Sequence, residues 1–597
     1  MAIAVSLSRD QYRCGANRMQ AEIATSSTVR ARRSLWGWRL DRAQLFVLLL
    51  IGLLGFYVLY PLALILINSF NQSRIGQPPA YGVQSWVDAM NTPGLFQALL
   101  NTLTVGFWSQ AISFPVGVLL AWVLARTNVP YARGLEFLFW VSFFIPALST
   151  TLGWILLLEP RTGVLNQIAG TLGFGVNVFN AYSVPSIVWV HLVSHAISLK
   201  VMLLTPAFRN MDATLEEAAR TSGASGWKTL WLVTLPVMMP ALVVVFMYGV
   251  VRLFESFEIE LLLGVPFDYY VYSTKIVDLM RQEPPQTARA MALGSITLLL
   301  LAIAAPVQRW LTTRRQYTTL TGRMNPGLIN LGRAKWPAFA ITGALAFIVS
   351  VVPIASVIAG SLMNRFGFFA IAQPWTLQHW QRTLTDSVFT RSLVNTLVTA
   401  TLAAVIGTLL FSLVAYAIVR LRSAHGRGLL DLLTWVPSVI PGALAGLGIL
   451  WMFVSVPVFQ PFYGTILVLV IAVVMGGVTL ATQTFKASLL QLGDDVEEAG
   501  RMAGANWLQT YFRIVLPLLA PTLVVVATLK FLFAANATSS IVLLATSETR
   551  PLSLLTLDFV NEGLREAAAV VTTIVTLLTT GLALVARAFG FNMWVRT

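Results

Sequence analysis

The strongest constraint on this chain is its apolar patterning: long apolar runs recur along most of its length, separated by short loops that are often basic. A helix needs about 20 mostly apolar residues to cross a bilayer, and backbone satisfaction inside lipid leaves helices as the natural solution. Six spanning segments are expected in the first half, at 43–69, 98–126, 134–158, 183–207, 237–263 and 288–311. Six more are expected at 337–362, 391–421, 428–456, 463–490, 518–545 and 566–589. Only 11% of the 597 residues are charged and 56% are apolar, whereas soluble chains carry about a quarter charged. The predicted fold is an all-α polytopic membrane protein with twelve transmembrane helices.

A net charge of +15 could suggest nucleic acid, but the excess sits in tails and short loops, where topology determinants belong. Loops placed inside carry Arg126 and Arg133, then Lys200, Arg209, Arg220 and Lys228, and later Arg314, Arg315 and Arg323, and Arg420, Arg422 and Arg427. Loops placed outside carry offsetting acids such as Asp88, Glu159, Asp278 and Asp558. Both termini are therefore expected in the cytoplasm. Residues 1–42 hold eight arginines and read as a basic cytoplasmic tail. Arg32-Arg33 faintly suggests a twin-arginine signal, but the following apolar run is too long for a cleaved one. Cys14 is the single cysteine, which excludes an intramolecular disulfide and a cysteine metal cluster.

The second half repeats the first. Asn101-Thr102-Leu103 returns as Asn395-Thr396-Leu397, and Ala121 to Arg126 as Ala415 to Arg420, at an offset of 294. Ile145-Pro146 returns as Ile440-Pro441, and Pro61 sits in the first helix as Pro353 does in the seventh. Six helices per copy make the repeats parallel, with a pseudo-two-fold axis along the membrane normal. The expected organisation is a tail at 1–42, a first domain at 43–311, a cytoplasmic linker at 312–336 and a second domain at 337–597.

One repeated element lies outside the lipid. After the fourth helix come Glu217-Ala218-Ala219, Gly223 and Leu235-Pro236; after the tenth come Glu498-Ala499-Gly500, Gly504 and Leu516-Pro517, each 281 residues on. Thr214 with Glu217, and Asp495 with Glu498, have capping-box spacing, and each glycine permits a left-handed stop. Each loop is predicted as a two-turn helix, a glycine turn and a second short amphipathic helix. Such a short, pinned helix suits a groove on a cytoplasmic partner.

These loops resemble the EAA signature of binding-protein-dependent ABC permeases of the MetI-like family: Glu-Ala-Ala, three residues, Gly, nine residues, an aliphatic, one residue, Leu-Pro. Val233 stands at a usual isoleucine, and Gly500 stands at the third-position alanine. The resemblance implies two MetI-like six-helix repeats whose loops are coupling helices, with Glu217, Gly223, Glu498 and Gly504 contacting an ATPase homodimer. It also implies a periplasmic substrate-binding protein as the second partner, and residence in the bacterial inner membrane. The chain has no Gly-x-x-x-x-Gly-Lys-Ser/Thr phosphate loop, so it is expected to be no enzyme and to bind no cofactor. ATP and Mg²⁺ belong to the partner ATPase.

Ionisable residues inside a spanning helix are functional candidates. The fifth helix holds Arg252, Glu255, Glu258 and Glu260, the first three spaced to share a face; the eleventh offers Lys530 and Asn536 instead. This set reads either as a cation-attracting translocation pathway or as an ion-paired structural network. His191 and His195, four apart in the fourth helix, read as a packed pair, and no metal site is expected. Phe254 to Glu258, Leu263-Gly264-Val265-Pro266 and Tyr272 to Ile276 resemble the fused permeases of the ferric-iron uptake group. That resemblance implies ferric iron as cargo, with thiamine, polyamine, phosphonate or oxyanion as alternatives for the same machine. An ion-driven twelve-helix carrier is the rival from another class, and it has no reason to keep paired docking loops.

Overall fold

The computed structural model describes residues 42–73, 77–175, 177–313, 327–421 and 424–589. The tail up to residue 41, with Cys14, lies outside the described residues, as do Arg422 and the linker stretch 314–326 with Arg314, Arg315 and Arg323. The described residues form helices with no strand, only isolated bridges.

In the first half, α1 (Arg42–Asn68) and α2 (Leu95–Arg126) are unbroken, although each contains a proline. The third span is α3 (Ala132–Phe144) followed by α4 (Ala147–Leu158), bent by 100°. The fourth joins α5 (Val184–His191) to α6 (Ile197–Arg209) through a π turn. After it come the loop helix α7 (Thr214–Thr221), then α8 (Leu235–Val251), α9 (Glu258–Leu263), α10 (Tyr272–Arg281) and α11 (Thr287–Thr313).

The second half follows the same order. It starts with α12 (Lys335–Ser361) and α13 (Ser387–Arg420), then α14 (Ala424–Trp435) and α15 (Gly442–Ser455), bent by 109°. The tenth span, α16 (Ile466–Met475) and α17 (Val478–Gln491), bends by 54° at Gly476-Gly477. The loop helix α18 (Asp495–Met502) leads to α19 (Ala520–Ala535), then α20 (Leu552–Asn561) and α21 (Arg565–Phe589).

By length and composition the described residues hold seven continuous spans and four bent pairs, eleven in all. The expected sixth span, α11, is helical over 27 residues. The repeated Ile-Pro pairs explain the sharpest bends: Pro146 and Pro441 lack an N–H and stand at the N-caps of α4 and α15, with ψ of 142° and 137°.

The halves exchange their first helices. α1 packs on α14 and α15 of the second half, while α12 packs on α3 and α4 of the first. The repeated prolines lie at these crossings. A methyl group at Gly448 would come 2.7 Å from the Pro61 carbonyl oxygen, and one at Gly153 would come 2.9 Å from that of Pro353. Glycine at both positions lets the two backbones touch, as small residues do where membrane helices cross closely.

Candidate docking loops and translocation pathway

The two loop helices end as the glycine spacing predicts. Gly223 and Gly504 take φ of +87° and +85°. Beyond them the Ala224 and Ala505 N–H groups return to the Ala219 and Gly500 carbonyls, each at 3.0 Å, in the Schellman manner. Their beginnings differ from expectation. The helices start at Thr214 and Asp495 without a capping box; Asp212 accepts from the Thr214 N–H at 3.0 Å instead. In the second copy a box appears one element later, between Asn506 and Gln509, while in the first Ser225 alone caps that turn by accepting from the Lys228 N–H. The expected second amphipathic helix is in each copy a single turn, Gly226–Thr229 or Trp507–Thr510, continuing through a π turn toward the next span. In the first copy the π turn leads directly into α8, opening at Leu235-Pro236; in the second, after Leu516-Pro517, the chain bends by 78° before α19.

The outward faces carry the motif residues. Glu217, Ala218, Glu498 and Ala499 are exposed, as are Pro236 and Pro517, while Ala219, Leu235 and Leu516 are half-buried. Gly500 replaces the motif alanine because a methyl there would lie 2.5 Å from the Ile514 side chain. The linker's end runs beside the first loop. The Ile329 N–H donates to the Arg126 carbonyl at 2.7 Å, and a methyl at Gly327 would come 3.0 Å from a Glu217 carboxylate oxygen.

Sequence reasoning missed the buried glutamate that precedes each motif. Glu216 is the single buried residue of α7; Glu497 and Gly500 are those of α18. Glu216 pairs with Arg126 of α2 at 2.5 Å, with both side chains essentially dry, and its second oxygen accepts from Thr234 at 2.6 Å. Arg126 also donates to the Met211 carbonyl. Glu497 pairs with Arg420 of α13 at 2.9 Å and accepts from Tyr416; Arg420 also meets Asp494 and the Leu489 and Leu492 carbonyls. The available signal was the repeat itself, since Arg126 and Arg420 recur at one offset and Glu216 and Glu497 at the other. Removing one member of such a buried pair costs about 3–5 kcal/mol.

The carboxylates of the fifth span separate into three environments because the helix breaks among them. α8 stops at Val251, a 3₁₀ turn covers Arg252–Glu255, and α9 starts at Glu258. The single shared face expected for Arg252, Glu255 and Glu258 is therefore not formed. Arg252 pairs with Glu255, both partly accessible. Glu260 is fully buried, held by His191 at 2.7 Å and by Ser256, which ties the fifth span to the fourth. Glu258 lies beside the backbone of Ser539. Residues 258 and 539 are repeat partners at the offset of 281, and Leu261 clusters with its own partner Val542. Residues that sit beside their own repeat partners lie near the pseudo-two-fold axis, so Glu258 stands close to the seam between the halves. There it lines a cavity with Pro146, Ser149, Asn536, Thr538 and Thr556. The Asn536 side-chain amide oxygen is buried there with no hydrogen-bond partner among the described residues. His195, the other half of the histidine pair, bonds Ser194 and meets the edge of Phe143.

Known proteins are similar to this chain in sequence. The family profile described as "Binding-protein-dependent transport system inner membrane component" matches residues 113–317 and 421–594, one segment in each half. The ferric transport system permease protein FbpB of Actinobacillus pleuropneumoniae is 26% identical over 87% of this chain and 74% of its own length. A Haemophilus influenzae permease with the same FbpB name is 26% identical over 84% of this chain and 78% of its own. Among solved structures, a bacterial ABC transporter that imports the acidic polysaccharide alginate aligns over 45% of this chain and 96% of its own. Its TM-score is 0.39, with 23% identity.

Proposed function

The chain belongs to the family of binding-protein-dependent transport system inner membrane components, and from that premise we propose that it is the permease of an ATP-driven importer of ferric iron. In this reading a separate ATPase homodimer, which holds ATP and Mg²⁺, seats on α7 and α18, and a periplasmic binding protein delivers cargo to the outer loops. Both termini face the cytoplasm, and the chain itself is not an enzyme.

The observation that carries the reading is the duplicated docking helix. Two short helices, each stopped by a left-handed glycine, present the same Glu-Ala face at Glu217-Ala218 and Glu498-Ala499. A carrier driven by an ion gradient has no use for two such faces. Iron as cargo rests on the similarity to FbpB over most of the chain and on the carboxylate near the pseudo-two-fold axis, since oxygen donors suit a hard cation. Arg252 offsets Glu255, which leaves Glu258 as the carboxylate of the cavity on the path, with the Asn536 amide beside it. Glu260 supports the path wall from behind through His191.

The test is reconstitution of the chain in proteoliposomes with a candidate ATPase and a ferric-loaded binding protein. Iron uptake should require ATP, and cargo should stimulate hydrolysis. Bulky residues at Gly223 and Gly504 should abolish co-purification of the ATPase. Uptake driven by a proton gradient without an ATPase would overturn the assignment. ATP-driven uptake of another solute, with none of iron, would overturn the cargo alone.

A further inference from the structure

Two repeated sequence features have no part in the docking face or the central cavity: the Asn-Thr pair that opens the second helix of each half, and the arginine that ends it. α2 and α13 are unbroken over 32 and 34 residues, while the third, ninth and tenth spans bend and the fifth breaks. From Asn101 to Arg126, and from Asn395 to Arg420, is 25 residues, a helical distance of about 38 Å. Each of these helices is held by polar groups at both ends.

At the inner end the arginine grips the buried glutamate of the docking helix, as described above. At the outer end, Asn101 donates to the Tyr270 carbonyl at 2.8 Å, and Thr102 accepts from the Tyr272 N–H at 2.9 Å. The second half repeats this: Asn395 donates to the Glu548 carbonyl at 2.8 Å, and Thr396 accepts from the Leu552 N–H at 2.8 Å. The segments gripped are the starts of α10 and α20. Those helices in turn bond the chain breaks beside the cavity: Ser273 donates to the Ser256 carbonyl, and Ser553 to the Ala537 carbonyl at 2.6 Å. Ser256 is two residues from Glu258, and Ala537 follows Asn536. Polar contacts at the two ends of α2 and α13 thus link each docking helix, through the intervening helix, to residues that line or adjoin the cavity.

We propose that α2 and α13 are push-rods: each converts displacement of its docking helix at the inner face into displacement of α10 or α20 at the outer end of the pathway. Arg126, Arg420, Thr102 and Thr396 are the positioning residues that attach the rods. The physical case is directional. An apolar contact between helices can slide, whereas an arginine held by a buried carboxylate and backbone carbonyls has one geometry, and a helix transmits axial displacement over its whole length. Arg126 and Arg420 are largely buried against the bundle and stand apart from the exposed Glu-Ala face, so the rod can be detached without removing the docking residues.

The proposal rests on the ABC-importer reading, and its test separates the two. In the reconstituted complex, the R126Q/E216Q/R420Q/E497Q variant, which strands no buried carboxylate, should still co-purify with the ATPase and keep basal hydrolysis. Its transport and cargo-stimulated hydrolysis should both fall by about tenfold or more, within the usual span of coupling between sites. T102V/T396V, altered at the opposite membrane face, should give the same uncoupled signature, while T102S/T396S, which keeps the accepting hydroxyl, should restore coupling. Combining the inner and outer variants should cost little beyond either alone, because one rod is already detached. Unchanged transport and unchanged cargo-stimulated hydrolysis in either the valine or the glutamine variant overturn the rods. Loss of ATPase assembly in the glutamine variant, or failure of serine to rescue, also overturns them, because the clamps would then serve folding alone. If the native complex itself shows no ATPase docking or cargo-stimulated hydrolysis, the importer reading fails instead.

Discussion

At the residue scale, side chains of one type take different roles because their surroundings differ. Glu217 and Glu216 are adjacent in sequence, yet one is exposed and the other is fully buried against an arginine. The same split separates Glu258 near the axis from Glu260 behind it. Exchange of Glu258 for glutamine should lower iron uptake by about tenfold while ATPase docking and basal hydrolysis stay unchanged, given the contribution of a single positioned polar group; normal uptake would remove Glu258 from the path. Gly223 and Gly504 face open space, so what they supply is conformation rather than clearance. An alanine at either position should destabilise its loop helix by about 1 kcal/mol, and asparagine by less, measurable as faster hydrogen exchange over 214–223 or 495–504.

Glu159 supplies a pH-dependent element in the turn that follows α4. Burial acts to raise its pKa, but the N–H groups of Thr162 and Arg161, the Thr162 hydroxyl and the charge of Arg565 together hold it below the usual carboxylate range. A depressed pKa stabilises the folded turn above the ordinary carboxylate pKa, and this contribution is lost as pH falls through the folded value. The amides of Arg161 and Thr162 should therefore lose protection on acidification below about pH 4, and Glu159→Gln should abolish that pH response. A response that survives the substitution would assign it to another group.

At the scale of elements, discontinuity follows from local chemistry. The Ile-Pro pairs break the third and ninth spans because a proline N–H is missing, and Gly476-Gly477 sits at the bend of the tenth. The same chemistry places Pro61 and Pro353 at the exchanged helix crossings, each facing a glycine. Gly448→Ala or Gly153→Ala would press a methyl against a backbone carbonyl that cannot rotate away. Each should destabilise the packing of the exchanged helix by about 1–3 kcal/mol, seen as a lower unfolding temperature in detergent; Gly52→Ala, where nothing lies within 4 Å, is the control that should be neutral. The first turn of α7 shows where element prediction from spacing went astray. Thr214 and Glu217 have the right separation for a capping box, but Asp212 reaches the Thr214 N–H first, and spacing alone cannot rank competing local acceptors.

At the scale of the whole molecule, the proposed pair of docking faces on one chain predicts a stoichiometry. The assembled complex should contain two ATPase copies per chain by native mass spectrometry, and bulky substitution at Gly504 alone should leave no stable one-copy complex that transports. A transporting complex with a single ATPase would break the functional equivalence of the two faces. Exchange of α1 and α12 between halves gives the fused chain an interface that neither half completes alone.

Composition and periodicity by themselves determined the membrane environment, the two repeated halves, and the pair of matched short loop helices with their glycine stops. Each of these depends on residues close in sequence or on a repeat that can be counted. Tertiary structure decided the rest: which glutamate of each loop is buried, which carboxylate comes near the axis, and what the Asn-Thr and arginine repeats hold. Their partners lie tens to hundreds of residues away, and a pairing across the bundle depends on helix rotation and on breaks that periodicity does not record. The apolar runs that most constrained the chain therefore specify how many times it can cross a bilayer. The contacts that could turn those crossings into one moving machine arise only where polar groups from distant segments meet.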